Sequence, residues 1–239
     1  ILATQRLAQT GQSIDYLFQH CVQLPNVFDA LNLLAGDRVF LVFYLRGITH
    51  GNEYEFAIKC PNCEATSVHL YNLNELANTI QRPRPELGIE PFRVVLPYMS
   101  ECLKREVWVN VRFMRGKDIA AITNRVRFNK KLRVSSGRET STAVTIDQTV
   151  TDNLAMVITS FGGQDYPDQV NDSFKIKALV DRMHGKDTAT IRTFLRENSP
   201  GIDTTIAVVC PECSHDYKTE LPITESFFRP TGKGKPGRT

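Results

Sequence analysis

Two short cysteine turns constrain this chain more than any other feature of its sequence. Cys60 and Cys63 lie in KCPNCEA, Cys210 and Cys213 lie in VCPECSH, and 146 residues separate the two turns. Two cysteines three positions apart on a tight turn can direct both thiolates at one metal ion, whereas a structural zinc ion takes four ligands. Each turn therefore supplies half of a ligand shell.

Histidines or the other cysteine turn could supply the missing ligands. His50 and His69 lie near the first turn in the sequence, and His215 lies near the second. His69 falls within an alternating strand pattern and His215 follows Cys213 by two residues, so both are poorly placed to close a small chelate ring. The simplest solution joins the two turns around one structural Zn²⁺, with the ligands Cys60, Cys63, Cys210 and Cys213.

A redox site and a catalytic zinc are the alternative interpretations of these turns. In redox proteins a CPxC motif begins a helix, whose N-terminus lowers the pKa of a thiol. Here the strand-like sequences TSVHLY and HDYKTEL follow the two motifs. Four cysteine ligands leave no coordination position for a catalytic water. Because the carboxylates are also scattered, and phosphate-binding-loop and nucleophile-elbow motifs are missing, the sequence predicts a protein that is not an enzyme.

The sequence around each turn predicts a helix followed by a β-hairpin. EYEFAIK (53–59) and TSVHLYNL (66–73) alternate with period two on either side of the first turn. Upstream, GDRVFLVFYLRGITHG (36–51) predicts a mostly buried helix that ends near Gly47. Residues 174–213 repeat the order of helix, glycine, strand and cysteine turn. This order predicts an internal duplication in which each copy donates half of the metal site.

The middle of the chain predicts a different arrangement. Residues 82–91 are rich in proline and glycine and mark a boundary. FRVVLPYM (92–99) and EVWVNVRFM (106–114) predict a β-hairpin, and GKDIAAITNRVRF (116–128) predicts a helix. Residues 129–150 predict an exposed polar loop or a loosely formed hairpin. The predicted fold is α+β, with two related helix–β-hairpin units joined through a shared four-cysteine zinc site and an intervening β-hairpin and helix segment.

Four segments follow from this organisation. Residues 1–81 contain the N-terminal helices and the first CPxC hairpin, and residues 82–172 contain the middle hairpin, helix and polar loop. Residues 173–228 form the second helix–CPxC hairpin unit, and residues 229–239 form an extended basic tail.

Composition excludes several classes of protein. The chain has 239 residues, of which 41% are hydrophobic and 23% charged, as in soluble globular proteins. No apolar run approaches the roughly 18 residues of a membrane span. Four of the six cysteines lie in the two turns, which favours a metal over disulfides and indicates a reducing compartment. Cys21 and Cys102 lie in apolar stretches and are predicted to be buried thiols.

Two basic stretches indicate contacts with partners. RVRFNKKLR (125–133) could contact phosphates, and Phe128 could stack on a base, so a zinc-ribbon-like nucleic-acid-binding protein is the alternative function. A charged helix end is the simpler interpretation of this stretch, and the net charge of +3 is too small to predict nucleic-acid binding by itself. The second stretch follows two adjacent phenylalanines near the C-terminus. The predicted partner-binding residues there are Phe227, Phe228, Arg229, Lys233, Lys235 and Arg238.

Several of these segments together resemble a known family. SIDYLFQHC, GDRVFLVFYLRGITHGNEYEFAIKCPNC, FRVVLPYM, VRFMRGKDIAAI, PGIDTTIAVVCPECSHDYKTELPI and SFFRP occur in this order. Their order and motifs are similar to the baseplate hub subunit and hub assembly protein family of T-even-like contractile-tailed phages. The resemblance covers most of the chain and is anchored at its two ends. The residues that carry it are Asp37, Arg38, Gly51, Tyr54, Phe56, Cys60, Cys63, Cys210, Cys213, Leu221, Pro222, Phe227, Phe228 and Pro230.

The resemblance implies a structural or assembly component of a contractile-tail baseplate that has no enzymatic activity. Its partners would be other baseplate and tail proteins in an oligomeric assembly, built in the host cytoplasm and located in the virion tail. The resemblance leaves open whether the protein stays in the virion as a hub subunit or leaves after assembly. One departure concerns the turns: zinc knuckles often have glycine after the second cysteine, where this chain has Glu64 and Ser214.

Overall fold

A computed structural model describes residues 12–22, 29–136, 151–164, 170–223 and 227–228. The fold is mixed α+β, with helices and small antiparallel sheets, as the sequence predicts. The chain forms two compact units. Among the described residues, the first unit contains 12–22, 29–35, 82–136, 151–164 and 170–200, and the second contains 36–81, 201–223 and 227–228.

The described part of the chain contains seven α-helices and nine strands. The helices are α1 (Gln12–Cys21), α2 (Ala35–His50), α3 (Pro97–Leu103), α4 (Gly116–Ser136), α5 (151–157), α6 (Ser173–Val180) and α7 (Gly185–Asn198). The strands are β1 (Glu53–Lys59), β2 (Thr66–Asn72), β3 (Ile80–Gln81), β4 (Phe92–Val95), β5 (Val107–Val111), β6 (Ile158–Gly163), β7 (Gly201–Ile202), β8 (Thr205–Val209) and β9 (Asp216–Glu220). Short 3₁₀ helices span Ala30–Asn32, Leu73–Thr79 and Pro85–Leu87.

A three-stranded antiparallel sheet in the order β4-β5-β6 is the basis of the first unit. Val107, Val109 and Val111 of β5 are buried, because alternate residues of a strand lie on the same face. The core that they enter also contains Leu154 from α5 and Ile191 from α7. Burial of these apolar side chains is the main favourable contribution to the stability of this unit.

The segment 92–99 is not one strand, as its sequence predicts, but a strand followed by a helix. β4 and β5 pair in antiparallel fashion, which confirms the predicted pairing, but α3 lies between them and begins at Pro97. The carboxylate of Asp187 accepts hydrogen bonds from the backbone N–H groups of Tyr98 (2.8 Å) and Met99 (3.1 Å). These two groups lie in the first turn of α3, where a helix has no internal acceptors, so Asp187 stabilises the start of this helix.

The predicted loop at 129–150 is also wrong in its first part. Helix α4 continues to Ser136, so residues 129–136 are helical. This stretch contains no glycine or proline before Gly137, and its lysine, arginine and leucine residues have high helix propensity. Residues 137–150, the rest of the predicted loop, lie outside the described residues.

Cys21 and Cys102 are exposed, which contradicts the prediction that they are buried thiols. Phe18 is the buried residue among the described side chains of α1, and α3 has no fully buried residue. Both helices therefore lie at the surface of their unit and expose their last turns. An apolar stretch of sequence does not bury a cysteine when the helix that carries it packs through another residue.

In the second unit, helix α2 precedes the first cysteine hairpin. It extends to His50 rather than ending near Gly47, and only one of its faces is buried, through residues such as Val42 and Phe43. The sequence predicts a mostly buried helix because apolar residues surround its axis. In the part of the chain that is described, no helix combines the length and the apolar character that crossing a membrane requires.

An aromatic cluster links distant parts of the second unit. The ring of Phe227 packs edge-on against Phe43 and Tyr54, with centroid distances of 5.1 and 4.9 Å. The Tyr54 hydroxyl donates a hydrogen bond of 2.7 Å to the carbonyl of Pro222. Residues near the first cysteine turn are thereby attached to the segment that follows the second turn.

Arg46 is buried beside this aromatic cluster. Its guanidinium donates hydrogen bonds to the carbonyls of Gly51 (2.7 Å) and Glu53 (3.3 Å), where α2 passes into β1. Burial lowers the pKa of Arg46. Its guanidinium carbon lies 5.9 Å from the ring centroid of Tyr54, within the range of a cation–π interaction. Arg46 thus fixes the junction between the helix and the first hairpin.

Candidate metal centre

Two β-hairpins carry the cysteine turns in the second unit. β1 pairs with β2 from Glu53↔Asn72 to Lys59↔Thr66, and β8 pairs with β9 from Thr205↔Glu220 to Val209↔Asp216. In both hairpins the last paired residues directly flank a six-residue turn that contains the CPxC sequence. The alternating strands thus hold each cysteine pair at the tip of a hairpin, as the sequence predicts.

The first turn is closed by backbone hydrogen bonds. Cys60 N–H donates to the Ala65 carbonyl (2.9 Å), and Glu64 N–H donates to the Cys60 carbonyl (3.0 Å). The backbone N–H of Ala65 donates to the sulfur of Cys63. Glu64 adopts the left-handed conformation, with φ of 61°.

The second turn has the equivalent geometry. Cys210 N–H donates to the His215 carbonyl (3.0 Å), Ser214 N–H donates to the Cys210 carbonyl (2.9 Å), and His215 N–H donates to the sulfur of Cys213. Ser214 has φ of 54°. The residue after the second cysteine is therefore left-handed in both turns, although neither residue is glycine.

The left-handed residues predict an unusual response to glycine. Left-handed geometry costs a non-glycine residue about 1–2 kcal/mol. Glycine avoids this cost, but it loses more backbone entropy on folding, so its net advantage at such a position is smaller. We expect Ser214→Gly to raise the free energy of unfolding by up to about 1 kcal/mol, and Ser214→Val to lower it by about 1–2 kcal/mol. Urea denaturation of the two variants measures both effects. Equal destabilisation by glycine and valine would contradict a left-handed turn.

The four thiols of the two turns meet in one cluster. Sγ of Cys60 lies 3.8 Å from Sγ of Cys213, Sγ of Cys63 lies 3.7 Å from Sγ of Cys210, and the four sulfur atoms all lie within 4.8 Å of one another. A disulfide would place two sulfur atoms about 2.0 Å apart. Four thiolates around a metal at about 2.3 Å form a tetrahedron with edges of about 3.8 Å. The observed spacing therefore suits a tetrahedral metal ion.

The thiols differ in burial and in acidity. Cys60 and Cys210 are buried, whereas Cys63 is exposed. A hydrogen bond from the Asn62 side chain, followed by that from the backbone of His215, lowers the pKa of Cys213 to about 6. The strongest single influence on Cys63 is the hydrogen bond from the N–H of Ala65, which lowers its pKa. Hydrogen bonds with the other thiols and partial desolvation together outweigh this bond and raise the pKa of Cys63 to about 12.

Metal binding at this cluster would release protons. A metal ion binds thiolates rather than thiols, so a bound cation must displace the protons that remain on the four sulfur atoms. Acid opposes this displacement, and metal affinity is expected to fall as the pH decreases.

The histidines considered as ligands have other contacts or lie apart from the cluster. His69 shares a hydrogen bond of 2.7 Å with the hydroxyl of Ser67, and the ring of His215 stacks with that of Tyr217 at a centroid distance of 6.0 Å. Within the described residues, the cluster that could hold a metal contains the four cysteines and no histidine. The donor set is therefore four sulfur atoms.

Two residues beside the cluster are not indicated by the sequence. The Nδ2 of Asn62 lies 3.6 Å from the sulfur of Cys213, although Asn62 occupies a spacer position of its motif. The hydroxyl of Tyr217 is buried and has no hydrogen-bond partner among the described residues. Burial, followed by the nearby cysteines, raises the pKa of Tyr217. The spacing of the cysteines in the CPxC motifs identifies the metal ligands but gives no information about side chains beside them, such as Asn62 and Tyr217.

The predicted partner-binding residues lie in different environments. Phe227 is 0% exposed and belongs to the aromatic cluster, whereas Phe228 is half-buried. Their role in partner binding stays a prediction. The other four predicted residues lie outside the described part of the chain: Arg229, Lys233, Lys235 and Arg238.

The basic stretch 125–133 is partly described. Arg125 forms an ion pair of 2.7 Å with Asp152 in the same unit, so this side chain is engaged within the fold. Phe128 is exposed. The side chains of the other four basic residues are not among those described: Arg127, Lys130, Lys131 and Arg133.

A comparison with protein families identifies a match to most of this chain. The protein-family model described as T4 bacteriophage base plate protein matches residues 1–229. No curated protein and no solved structure matches the chain. The matched range includes both cysteine turns.

Proposed function

Because this chain belongs to the T4 bacteriophage base plate protein family, we propose that it is a structural or assembly component of the hub of a contractile-tail baseplate. In this proposal a structural zinc ion cross-links its two cysteine hairpins. The protein assembles in the host cytoplasm and acts through contacts with other proteins rather than through catalysis. The family match over residues 1–229 is the observation that carries the proposal. Membership in this family supports a structural role in the virion tail, in contact with other phage tail proteins.

Zinc is the proposed metal of the four-cysteine cluster. Soft thiolate ligands in a tetrahedral arrangement favour zinc or iron–sulfur chemistry, and four cysteines at knuckle spacing are typical of structural zinc. The proposed ligands are Cys60, Cys63, Cys210 and Cys213. Bound zinc supplies a cross-link between two hairpins, and the closed shell leaves no position for a catalytic water.

Metal content tests the zinc proposal directly. Protein purified without chelators is expected to contain one zinc per chain by elemental mass spectrometry, because the four thiols lie in one cluster. Two zinc ions per chain would require separate sites. A protein that contains no metal and does not take up added Zn²⁺ would overturn the proposal.

The two hairpins are proposed to be related copies of one helix–β-hairpin unit. The equivalent backbone bonds and left-handed residues of their turns support this relation. A helix precedes each hairpin along the chain, α2 before the first and α7 before the second. The proposed boundaries after residues 81, 172 and 228 follow this duplication, and the basic tail at 229–239 is proposed to contact neighbouring subunits.

Exposed apolar side chains on the first hairpin support a role in binding other proteins. Val68 and Leu70 on the outer face of β2 are 64% and 67% exposed. The residues at the same distances after the second turn are Lys218 and Glu220. Because the second hairpin forms with charged residues at these positions, the fold does not require Val68 and Leu70. Adjacent exposed apolar residues of this kind mark sites of protein contact.

Helix α2 presents a second exposed apolar surface. Phe40, Tyr44 and Ile48 are spaced four residues apart, so they form one stripe along the helix, and all three are exposed. The rings of Phe40 and Tyr44 stack at a centroid distance of 6.1 Å. A ridge of residues at i, i+4 and i+8 is suited to pack against an apolar helix of a neighbouring tail protein.

Exchanging the hairpin surface tests the proposed contact. The double variant Val68→Lys, Leu70→Glu places the residues of the second hairpin on the first. We expect unchanged metal content and thermal stability, because both positions are exposed, but at least a tenfold loss of assembled tails. The variant would be supplied to a phage that lacks its own copy of the gene, and assembled tails would be counted by electron microscopy.

The matched control for this exchange is Lys218→Ala with Glu220→Ala, which alters the same positions of the second hairpin. This control should assemble tails at the wild-type level. Normal assembly with the first-hairpin variant would show that this surface has no partner. Mass spectrometry of the wild-type tails separates a permanent subunit, which is retained, from a transient assembly factor, which is not.

A further inference from the structure

The two halves of the candidate metal site differ at one position inside the motif. The residue between the proline and the second cysteine is Asn62 in the first turn and Glu212 in the second. Because the backbone hydrogen bonds of the two turns are equivalent, this position presents two different side chains in the same backbone setting. Both side chains are exposed, so packing in the core requires neither of them.

Asn62 contacts the opposite turn. Its side-chain Nδ2 lies 3.6 Å from the sulfur of Cys213 and can donate an N–H to it. Cys213 also accepts the backbone N–H of His215, so it has two N–H donors. Cys63, the equivalent cysteine of the first turn, accepts the backbone N–H of Ala65. The second turn offers it no side-chain amide, because Glu212 stands at the motif position that Asn62 has in the first turn.

Glu212 cannot provide the corresponding bond. Every hydrogen-bonding site of an ionised carboxylate is an acceptor, so Glu212 has no proton to offer to a thiolate. Four thiolates around a divalent cation also leave an excess of two negative charges, which N–H donors to sulfur stabilise and a neighbouring carboxylate does not. The two half-sites are therefore chemically unequal.

We propose that Asn62 is a positioning residue of the four-cysteine site, which holds the thiolate of Cys213 in the opposite turn in place for the metal. This inference rests on the proposed zinc function. Asn62 touches the sulfur and is not itself a ligand, so it acts through Cys213. Neighbours of this kind typically change metal affinity by about 10- to 100-fold when they are altered.

Four variants of the full chain separate the N–H donor from the charge at this position. Asn62→Ala removes the donor, Asn62→Asp removes it and adds a charge, and Asn62→Gln retains an amide donor. Glu212→Ala is the matched control in the other turn. The dissociation constants of Zn²⁺ and Co²⁺ would be measured by competition with a coloured chelator, together with the thiolate-to-cobalt charge-transfer band.

The expected order of affinity follows from the hydrogen bond. Asn62→Ala should weaken binding of both metals about tenfold and Asn62→Asp up to about 100-fold. Asn62→Gln should stay within a few-fold of the wild type, with a wild-type cobalt band. Glu212→Ala should bind at least as tightly as the wild type. In the metal-free state all four variants should unfold at the wild-type temperature, because both positions are exposed.

Three outcomes would overturn the proposal: wild-type affinity in both Asn62→Ala and Asn62→Asp, an equal loss of affinity in Glu212→Ala, or a lower unfolding temperature of metal-free Asn62→Ala. The last result would make Asn62 a structural residue. A wild-type protein that binds neither metal would instead refute the proposed zinc function, so the two failures can be told apart.

Discussion

Replacing Cys210 with serine is expected to lower the free energy of unfolding of the second unit by at least about 3 kcal/mol, a fraction of the roughly 10–16 kcal/mol with which zinc stabilises finger peptides. The described sheets of this unit are pairs of strands, which are marginally stable by themselves. For a unit of this size the loss corresponds to about 10 °C or more in melting temperature. Calorimetry of the variant, and of the wild type with a chelator, measures the effect.

The chelator and the substitution should not be additive. Both remove the same metal, so a chelator should destabilise the wild type but should have little further effect on Cys210→Ser. The controls are Cys21→Ser and Cys102→Ser, which alter exposed cysteines outside the cluster and should change the free energy of unfolding by less than about 0.5 kcal/mol. If neither chelation nor Cys210→Ser lowers the melting temperature, the shared metal site is refuted.

Removal of the Asp187 carboxylate is expected to lower the free energy of unfolding of the first unit by about 3 kcal/mol. Asp187 is 0% exposed and accepts backbone hydrogen bonds from Tyr98 and Met99 at the start of α3. Asp187→Ala leaves two partly buried N–H groups without an acceptor, and each costs about 1–3 kcal/mol. Asp187→Asn should cost roughly half as much, because its amide oxygen can still accept one of the two bonds. Urea denaturation measures both variants.

The control for Asp187 is a carboxylate of the same unit that is paired at the surface. Asp181 lies 3.1 Å from Lys177, and the two side chains are 47% and 44% exposed. Asp181→Ala is expected to change the free energy of unfolding by less than about 0.5 kcal/mol, because exposed ion pairs contribute little. Equal effects of Asp181→Ala and Asp187→Ala would show that the buried carboxylate does not hold the start of α3.

The meeting of the cysteine turns could be predicted from the sequence because coordination chemistry is specific. Two cysteines provide only half of a tetrahedral shell, so a second pair anywhere in the chain is the natural complement. The strands beside each turn could also be predicted, since period-two alternation is a local signal. Both predictions depend on residues close in sequence or on a fixed ligand number.

Helix α3 could not be predicted because the group that stabilises it is remote. Asp187 is 89 positions from Tyr98, and no local pattern relates the two residues. Residues 92–95 have strand propensity, and Pro97, although proline is favoured at the first helical position, does not by itself distinguish the start of a helix from a turn. The burial of Arg46 was missed for a similar reason, because its acceptors are backbone carbonyls and leave no mark in the sequence.

Asn62 shows a further limit of sequence reasoning. Its position is a spacer in the motif, and many residue types fit the turn there. The contact with Cys213 depends on the approach of a second turn 151 positions away. The ligands could therefore be predicted from spacing, whereas the neighbour of a ligand could be identified only once the two turns were placed in space.

The second unit is built from two stretches of sequence, 36–81 and 201–228, and this has a consequence for synthesis on the ribosome. Cys210 follows Cys63 by 147 positions, so at about 5–20 residues per second it emerges about 7–30 seconds later. During this interval the nascent first hairpin has only two thiols, while most of the first unit is already available to fold. Bringing the second cysteine turn to the first then has an entropic cost of about 4 kcal/mol for closing the loop between them. A chain interrupted before Cys210 cannot form the four-cysteine cluster, so binding of a metal by all four cysteines would require translation past this point.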